Sequence, residues 1–502
     1  MSTIYHDYSR DKIGWFFGLS GWQLSILAVA VMPVFWALHD GSWAAAGLLT
    51  ALWASVFVLV VAPVRGRSAV GWLVAVSAFA LGGLRGWTTF RAQATRGGVE
   101  DLTAVDLPGV LSGIEIHDGP PQGAQLARVA IIQDHATRTW AVTAALTHPG
   151  IAMSEPAERA RQGAGLADLL NLACRGGLIE EILFTVRTVP EDGAERSLYL
   201  QRHRRPGGPV VARTVNDDLA IGLTAASVRT EAFCTIVVPE SRLGREAKES
   251  GGGIEGRARV LHSLLGEVES QLRGGMGMTG VSWLTSPQLA LACRTGFAPG
   301  DRAGVVEALA MRERDPGVNA DIPWALAGPS GADPVVRHYS HDAWNSVSST
   351  IKLPAKGAVM GALAPVLTPG EPGERRSYVV VFPILAASVA DRKTANSEWA
   401  ADLGSHLRDK AGVKQRARQR EETAQTRGVD AKLAAGQALT RPYAVCTVTV
   451  PKTMRIAEFG RRLDASIRRA GYAPLRLDAS QDSAFAVTAV PLGVSLTRAG
   501  RA

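Results

Sequence analysis

The chain has 502 residues, of which 46% are hydrophobic and 20% are charged, and its formal net charge is +8. This length allows two or three domains with a sizeable core, and the composition excludes a disordered chain. Four cysteines are too few for a disulfide scaffold. About the first 90 residues are strongly apolar and hold seven of the twelve tryptophans. The sequence therefore predicts a membrane anchor followed by a large soluble body.

Two uncharged apolar stretches lie near the amino terminus, at residues 22–38 and 44–64. Each approaches the ~20 residues that a helix needs to cross a bilayer. Because positively charged flanks remain in the cytosol, the pattern predicts a transmembrane hairpin with both ends inside. A cleaved signal peptide followed by one span is the alternative, but no small-x-small cleavage site follows the first stretch. The flanking basic residues are Arg10, Lys12, Arg65 and Arg67.

Residues 69–84 form a third apolar run, which is short, contains glycine and has arginine on both sides. A third span here would place all residues after 84 outside the cell. We therefore expect an interfacial helix on the cytosolic face, with a third span as the alternative. The predicted membrane anchor covers residues 1–97 of a multi-pass plasma (inner) membrane protein, whose N-terminus and bulk lie in the cytoplasm. The widely separated cysteines, all in apolar segments, agree with buried reduced thiols.

The soluble body alternates between strand and helix patterns, so the predicted fold class is α+β. It consists of a transmembrane helical hairpin followed by α/β-alternating cytosolic domains of split-βαβ type. We expect one α+β region at 98–340 and a C-terminal one at 341–502. The first should contain strands at 111–117, 126–132, 139–146, 182–189, 232–238 and 280–284, and helices at 154–177, 257–272 and from Ser286. The second should contain strands at 344–353, 377–385, 443–450, 475–477 and 484–490, a long polar helix at 391–439 and an amphipathic helix at 453–470.

Catalytic signatures are missing from the sequence. There is no P-loop, H-E-x-x-H, C-x-x-C or G-x-S-x-G motif. Gly275, Gly277 and Gly280 form a G-x-G-x-x-G pattern, but it leads from a helix into a strand, the reverse of a dinucleotide site. We interpret it as a connector and expect no cofactor and no catalytic residue.

His338, His341 and Asp342 could bring three metal-capable groups together. No fourth ligand accompanies them at a suitable spacing, and we place them in a polar loop that enters the strand at Trp344. The favoured interpretation is that no metal binds there. A membrane enzyme that uses these three residues is the alternative from another functional class.

Two basic clusters are the candidate interaction patches. Basic residues close to a bilayer attract anionic lipid head groups by ~1 kcal/mol each, although a solvated helix face is the simpler interpretation. The clusters could also contact nucleic-acid phosphates. No aromatic residues alternate with the basic ones, so we expect no sequence-specific nucleic-acid binding. The clusters comprise Arg202, Arg204 and Arg205, and then Lys410, Lys414, Arg416, Arg418 and Arg420.

Several segments carry a resemblance to a known family. They are the aromatic amino-terminal hairpin, Leu107–Pro121 (LPGVLSGIEIHDGPP), Val142–Ala145 with the following His148-Pro-Gly150, residues 154–177, and Ile182–Pro190. In these the chain resembles actinobacterial integral membrane proteins of conjugation and type IV-like secretion. The hairpin is similar to the small two-helix (PrgI-like) inner-membrane subunits of these machines, and the body to the N-terminal domain of their hexameric ATPases.

In those ATPases a strand that ends in a Leu-Pro-Gly-like turn precedes the motor domain, and here residues 484–490 run into Pro491-Leu492-Gly493. The resemblance therefore implies a docking domain without its motor. It leads us to expect a non-enzymatic, oligomeric scaffold that docks a separate secretion ATPase beside other membrane subunits. A core membrane subunit of a type VII secretion system is the alternative. No functional residue can be carried over individually.

Overall fold

The structure is a computed structural model. It describes residues 4–5, 21–61, 63–64, 67–86, 88–97, 101–122, 126–151, 154–203, 207–226, 228–352, 358–385 and 437–499. The chain divides into two compact units, Asp7–Thr88 and a larger one that combines Met1–His6 with Thr89–Ala502. The described residues are 49% helical and 25% strand, which confirms the predicted α+β class.

The chain begins in the larger unit, where strand β1 (Ile4–Tyr5) pairs antiparallel with residues 358–359. It enters the smaller unit after His6 and returns to the larger one at Thr89. The elements of the smaller unit are α1 (Gly21–His39), α2 (Trp43–Val61), β2 (Pro63–Val64), β3 (Arg67–Ser68) and α3 (Ala69–Leu84).

Helices α1 and α2 pack against each other across a tight turn. The indole Nε1 of Trp53 donates a hydrogen bond to the Leu27 carbonyl oxygen at 3.1 Å, and the side chains of Leu27 and Val60 are buried. Among the described residues, α2 is the single helix long and apolar enough to cross a membrane, and the apolar part of α1 is shorter. Helix length and composition thus identify one candidate membrane span, and the predicted hairpin of two spans is not confirmed.

The larger unit is built on one extended sheet. In the described residues it has thirteen strands, and every pairing is antiparallel. The strands of this sheet are β4 (Phe90–Arg91), β5 (Ile114–Gln122), β6 (Ala127–Asp134), β7 (Thr139–Thr147), β8 (Glu181–Pro190), β9 (Val228–Pro239), β10 (Gly280–Trp283), β11 (Gly331–Val335), β12 (His338–His341), β13 (Trp344–Lys352), β15 (Arg375–Pro383), β16 (Tyr443–Pro451) and β17 (Ala473–Arg476). Strand β14 (Ala358–Val359) pairs with β1 in a separate two-stranded sheet. The helices are α4 (Pro156–Gly176), α5 (Ala194–His203), α6 (Val210–Ala226), α7 (Glu240–Glu249), α8 (Gly253–Ser270), α9 (Ser286–Phe297), α10 (Arg302–Arg312), α11 (Trp324–Ala327), α12 (Ala364–Leu367), α13 (Ile456–Arg469), α14 (Gln481–Ala489) and α15 (Leu496–Ala499).

Strands β7 to β10 form a split-βαβ unit. Strand β9 lies between β7 and β8 and is antiparallel to both, so β7 and β8 run parallel with α4 as their crossover. Helices α7 and α8 then lead to β10, which pairs with the other edge of β7. The meander of β5 and β6 extends the sheet beyond β7.

Strands β13 to β17 repeat this arrangement. Strand β16 lies between β13 and β15, and α13 leads to β17 on the other edge of β13. The meander of β11 and β12 again extends the sheet. A helix follows each split-βαβ arrangement, α9 after β10 and α14 after β17. The larger unit therefore contains two equivalent halves, half A (residues 114–297) and half B (residues 331–489).

The halves join through their equivalent strands, β8 and β15, whose pairing we call the seam. Outward from the seam the strands follow in the order β8, β9, β7, β6, β5 in half A and β15, β16, β13, β12, β11 in half B, so the sheet is nearly symmetric about it. The sequence retains a trace of the duplication. Ala232–Pro239 (AFCTIVVP) in β9 and Ala444–Pro451 (AVCTVTVP) in β16 are identical at five of eight positions. We expected separate regions at 98–340 and 341–502, whereas the two halves share one sheet.

Helices cover both faces of the sheet. Helices α4, α7 and α8 bury one face of half A, and α13 buries the same face of half B with Phe459, Leu463 and Ile467. Helices α9 and α14 cover the opposite face, where a single apolar core runs across both halves. Buried polar side chains interrupt this core at the seam, and they form the candidate site.

Two local predictions were wrong. Residues 484–490, predicted as a strand, lie in helix α14, because a short run of Ala, Phe and Val buried on all sides is compatible with either structure. His338 and His341, placed in a loop, lie in strand β12. The long polar helix predicted at 391–439 lies outside the described residues, except for its last three positions.

Candidate functional site

The buried polar residues at the seam between β8 and β15 form the candidate site. Arg187 of β8 lies directly opposite Ser377 of β15 in the antiparallel register, and Arg375 lies two residues before Ser377 on the same face of its strand. All three side chains are almost completely buried beneath α9 and α14. We call Arg187, Arg375 and Ser377 the seam cluster.

Arg187 connects four elements of the larger unit. Its guanidinium donates hydrogen bonds to Glu231 Oε2 at 3.0 and 2.6 Å and to the carbonyl oxygens of Ala292 and Ala489, both at 2.8 Å. Ala489 is the last residue of α14, so the arginine satisfies a carbonyl that the helix leaves free and complements the negative end of its dipole. Gly296 of α9 makes room for this arrangement, since a Cβ atom there would lie 2.6 Å from the Ala489 carbonyl oxygen.

Glu231 compensates the charge of Arg187. Burial raises the pKa of this carboxyl, but Arg187 and Arg229 lower it more strongly, to about 2. The pair is therefore ionised throughout the neutral range. The Arg187 guanidinium is only 1% exposed and Glu231 is 21% exposed, so salt screens this pair less than an ion pair at the surface.

Arg375 lacks such a compensating carboxylate. Its Nη1 donates to the Thr295 carbonyl oxygen at 2.8 Å and its Nη2 to Thr449 Oγ1 at 3.3 Å, while its Nε has no hydrogen-bond partner. Burial, and then the charge of Arg187, lower the pKa of Arg375 to about 9, although Glu231 acts in the opposite direction. Arg375 thus remains a cation at neutral pH.

A chain of hydrogen bonds leads from Arg375 across half B. Thr449 Oγ1 lies 2.7 Å from Ser346 Oγ, which lies 2.9 Å from His341 Nε2. The His341 ring is fully buried, with its centroid 4.4 Å from that of Phe485. Burial, and then the charge of Arg375, holds the pKa of His341 well below its usual 6.5, so this imidazole is neutral.

No member of this chain or of the seam cluster is accessible to a substrate, because each is at most 1% exposed. The arrangement can hold charge, orient hydroxyl groups and fasten helices to the sheet. It therefore acts within the protein rather than on a bound substrate.

Of the two predicted basic clusters, only Arg202 lies in the part of the chain that the structure describes. Arg202 lies in the last turn of α5 and forms a 2.6 Å ion pair with Glu313, so its charge is compensated. Arg204 and Arg205 lie outside the described residues, as do all members of the second cluster. The second cluster comprises Lys410, Lys414, Arg416, Arg418 and Arg420.

The three metal-capable residues do not converge. His338 and His341 are three positions apart on β12 and point to opposite faces of the sheet. Asp342 pairs with Arg294 at 3.3 Å and accepts a hydrogen bond from the Ser330 backbone N–H at 2.6 Å. In the part of the chain that the structure describes, no group of three or more His, Cys, Asp or Glu side chains could hold a metal ion.

The glycine pattern is a close-packed connector. Gly275 ends a π-helical turn after α8 and touches α4 at Gly165, where a Cβ atom would lie 2.2 Å from the Gly275 backbone. Gly277 has a φ of +75° in the turn that leads to β10. The glycines thus permit the helix-to-strand connection that the sequence predicted.

The most apolar exposed feature of the larger unit is helix α6. Its side chains are exposed along almost its full length, including those of Val211 (74%), Val215 (51%) and Leu219 (49%). Together with Leu223, these residues recur every four positions and form a continuous stripe, which we call the α6 stripe. This helix was not among the predicted elements, although the apolar spacing in residues 210–226 indicates it.

Comparison of the chain with protein-family models and with curated proteins found no match.

Proposed function

We propose that the chain is a non-enzymatic inner-membrane scaffold component of a conjugative or type IV-like secretion apparatus, and that it docks a separate secretion ATPase at the membrane. The α6 stripe is the observation that carries this proposal. A larger unit anchored by apolar helices and bearing an exposed apolar helix fits a tethered protein-docking platform.

The path of the chain supports an even number of membrane crossings. Residues before Asp7 and after Thr88 belong to the same compact unit, so any crossing between them must be matched by a return. Helix α2 is long enough to cross, and α1, packed against it, supplies the second crossing. In this proposal helix α3 is the interfacial helix predicted at 69–84.

The chemistry of α6 favours a protein partner over a lipid surface. Its only basic residue is Arg213, whereas Asp217 and Asp218 are acidic, so an anionic membrane would not attract it. An amphipathic helix with apolar residues at four-residue spacing binds an apolar groove on another protein. We assign that groove to the secretion ATPase.

Disrupting the α6 stripe should release the ATPase. In the double variant Val215→Asp/Leu219→Asp, two carboxylates would be buried in the docked complex, so we expect recovery of a P-loop ATPase from solubilised membranes to fall at least about tenfold. The measurement is affinity purification of the tagged full chain with quantitative mass spectrometry. Arg213→Glu, on the other side of α6, changes the net charge by the same amount and should leave recovery unchanged. A wild-type chain that recovers no P-loop ATPase contradicts the proposal.

Cysteine labelling tests the membrane topology. With an impermeant thiol reagent on intact cells, Asp40→Cys in the α1–α2 turn should react, whereas Ala465→Cys on the exposed face of α13 should react only after permeabilisation. The native thiols of Cys234, Cys293 and Cys446 are buried, and burial raises their pKa values, so they give little background. Labelling of Ala465→Cys on intact cells would place the larger unit outside and exclude the docking of a cytosolic ATPase.

A further inference from the structure

Arg375 is an exception among the buried arginines of the described residues. The other three each pair with a carboxylate: Arg187 with Glu231 at 2.6 Å, Arg376 with Glu374 at 2.5 Å and Arg498 with Glu181 at 3.0 Å. Arg375 is equally buried but contacts only an uncharged carbonyl and an uncharged hydroxyl. The protein thus compensates every buried guanidinium in this part of the chain except one.

Two buried polar atoms beside this charge have no partner. They are Nε of Arg375 and Oγ of Ser377, which lie on the same face of β15. Both groups are hydrogen-bond donors, and Arg187 lies across the seam from Ser377. In the described residues, one acid, the partly buried Glu231, lies close to the two buried arginines of the seam cluster, so the seam carries excess positive charge.

A buried charge without a counter-charge is costly, and unpaired buried donors add to the cost. A water molecule could accept both hydrogen atoms but would leave the charge uncompensated. A small anion would accept both and also neutralise the charge. Arg187, Arg375 and Ser377 are each 1% exposed, which favours a small ligand over a larger one.

We propose that the seam cluster binds an inorganic monoanion of the size of chloride between Arg375 Nε and Ser377 Oγ. The anion is a structural ligand at the seam between the two halves, and its binding stabilises the folded chain by mass action. This site is independent of ATPase docking, so either proposal can fail without the other.

The test is the melting temperature of the detergent-solubilised full chain in chloride against gluconate at constant ionic strength. Above half-saturation, each tenfold increase in chloride should raise the melting temperature by about 1–2 °C. Bromide should act in the same way. Ser377→Ala, which removes one donor, should weaken this dependence. The matched control is Ser349→Ala, which removes an equally buried hydroxyl that is already bonded to Asp464 on the other face of the sheet.

The charge-removing variant Arg375→Gln should lose the chloride dependence altogether. A second measurement, the ³⁵Cl NMR linewidth, should show broadening with the wild-type chain and less with Ser377→Ala. Equal melting temperatures in chloride and gluconate for the wild-type chain would overturn the proposal. A chloride effect of the same size in Ser377→Ala and Arg375→Gln would also overturn it, because the anion would then act elsewhere.

Discussion

Replacing Arg187 with methionine is expected to lower the free energy of unfolding by about 3–5 kcal/mol. The change leaves the partly buried carboxylate of Glu231 with Arg229 as its remaining partner, and it removes the donors to the carbonyl oxygens of Ala292 and Ala489. Since α14 is fastened to the sheet partly through Ala489, the core shared by both halves should loosen. Urea denaturation of the solubilised chain, followed by circular dichroism, measures the loss.

The control is Arg202→Met, which breaks an exposed ion pair with Glu313 and should cost at most about 1 kcal/mol. The double variant Arg187→Met/Glu231→Gln should recover part of the loss, because it removes the negative charge of Glu231 together with the positive charge of Arg187. A loss below about 1 kcal/mol for Arg187→Met would mean that Arg187 does not fasten α14 to the sheet.

The central strands of the larger unit could be predicted closely from alternation and turn residues, whereas β11 and β12 were not predicted. The prediction of 139–146 corresponds to β7 (Thr139–Thr147), and that of 443–450 to β16 (Tyr443–Pro451). These strands are buried in the middle of the sheet, where runs of β-branched residues are unambiguous. Residues 484–490 were predicted wrongly because an apolar run buried on all sides has no period that distinguishes a helix from a strand.

The duplication was not predicted, although the sequence contains a signal for it. The pattern Ala-x-Cys-Thr-x-x-Val-Pro occurs at Ala232 and again at Ala444. Leu284, Gln288 and Thr295 around α9 also recur as Leu477, Gln481 and Thr488 around α14, with the same spacing. These internal repeats are sufficient to align the two halves from the sequence alone.

The seam cluster could be predicted only in part. Arg187 shares a strand face with Leu183 and Thr185, so a charge at an inward position was visible in the predicted strand 182–189. Its partner Glu231 lies 44 residues away, and the opposing Ser377 lies in the other half. Such long-range pairings depend on how β8 and β15 meet, which local patterns do not encode. The basic patches, by contrast, were predicted from charge density alone. The charge of Arg202 is compensated by Glu313, which lies 111 residues away in the sequence.

Mild acid should destabilise the larger unit through His341. The folded chain keeps the imidazole neutral because burial and Arg375 hold its pKa well below 6.5, whereas the unfolded chain protonates near 6.5. Below pH 6.5 the unfolded state therefore binds a proton that the folded state does not, so stability falls as the pH falls. Between pH 6.5 and 5 the loss from this one residue should reach about 2 kcal/mol. Urea denaturation at a series of pH values gives the slope.

His341→Gln should flatten this slope, although its stability at pH 7 will be lower because the ring packing against Phe485 is lost. His338→Gln is the control on the same strand. Burial lowers the pKa of His338 less strongly, so this variant should retain most of the slope. The carboxylate of Glu231 contributes nothing in this window, since stability from its depressed pKa is lost only as the pH falls from about 4.5 towards 2. An unchanged slope in His341→Gln would show that another group takes up the proton, and that the hydrogen-bond chain from Arg375 to His341 does not set the response to acid.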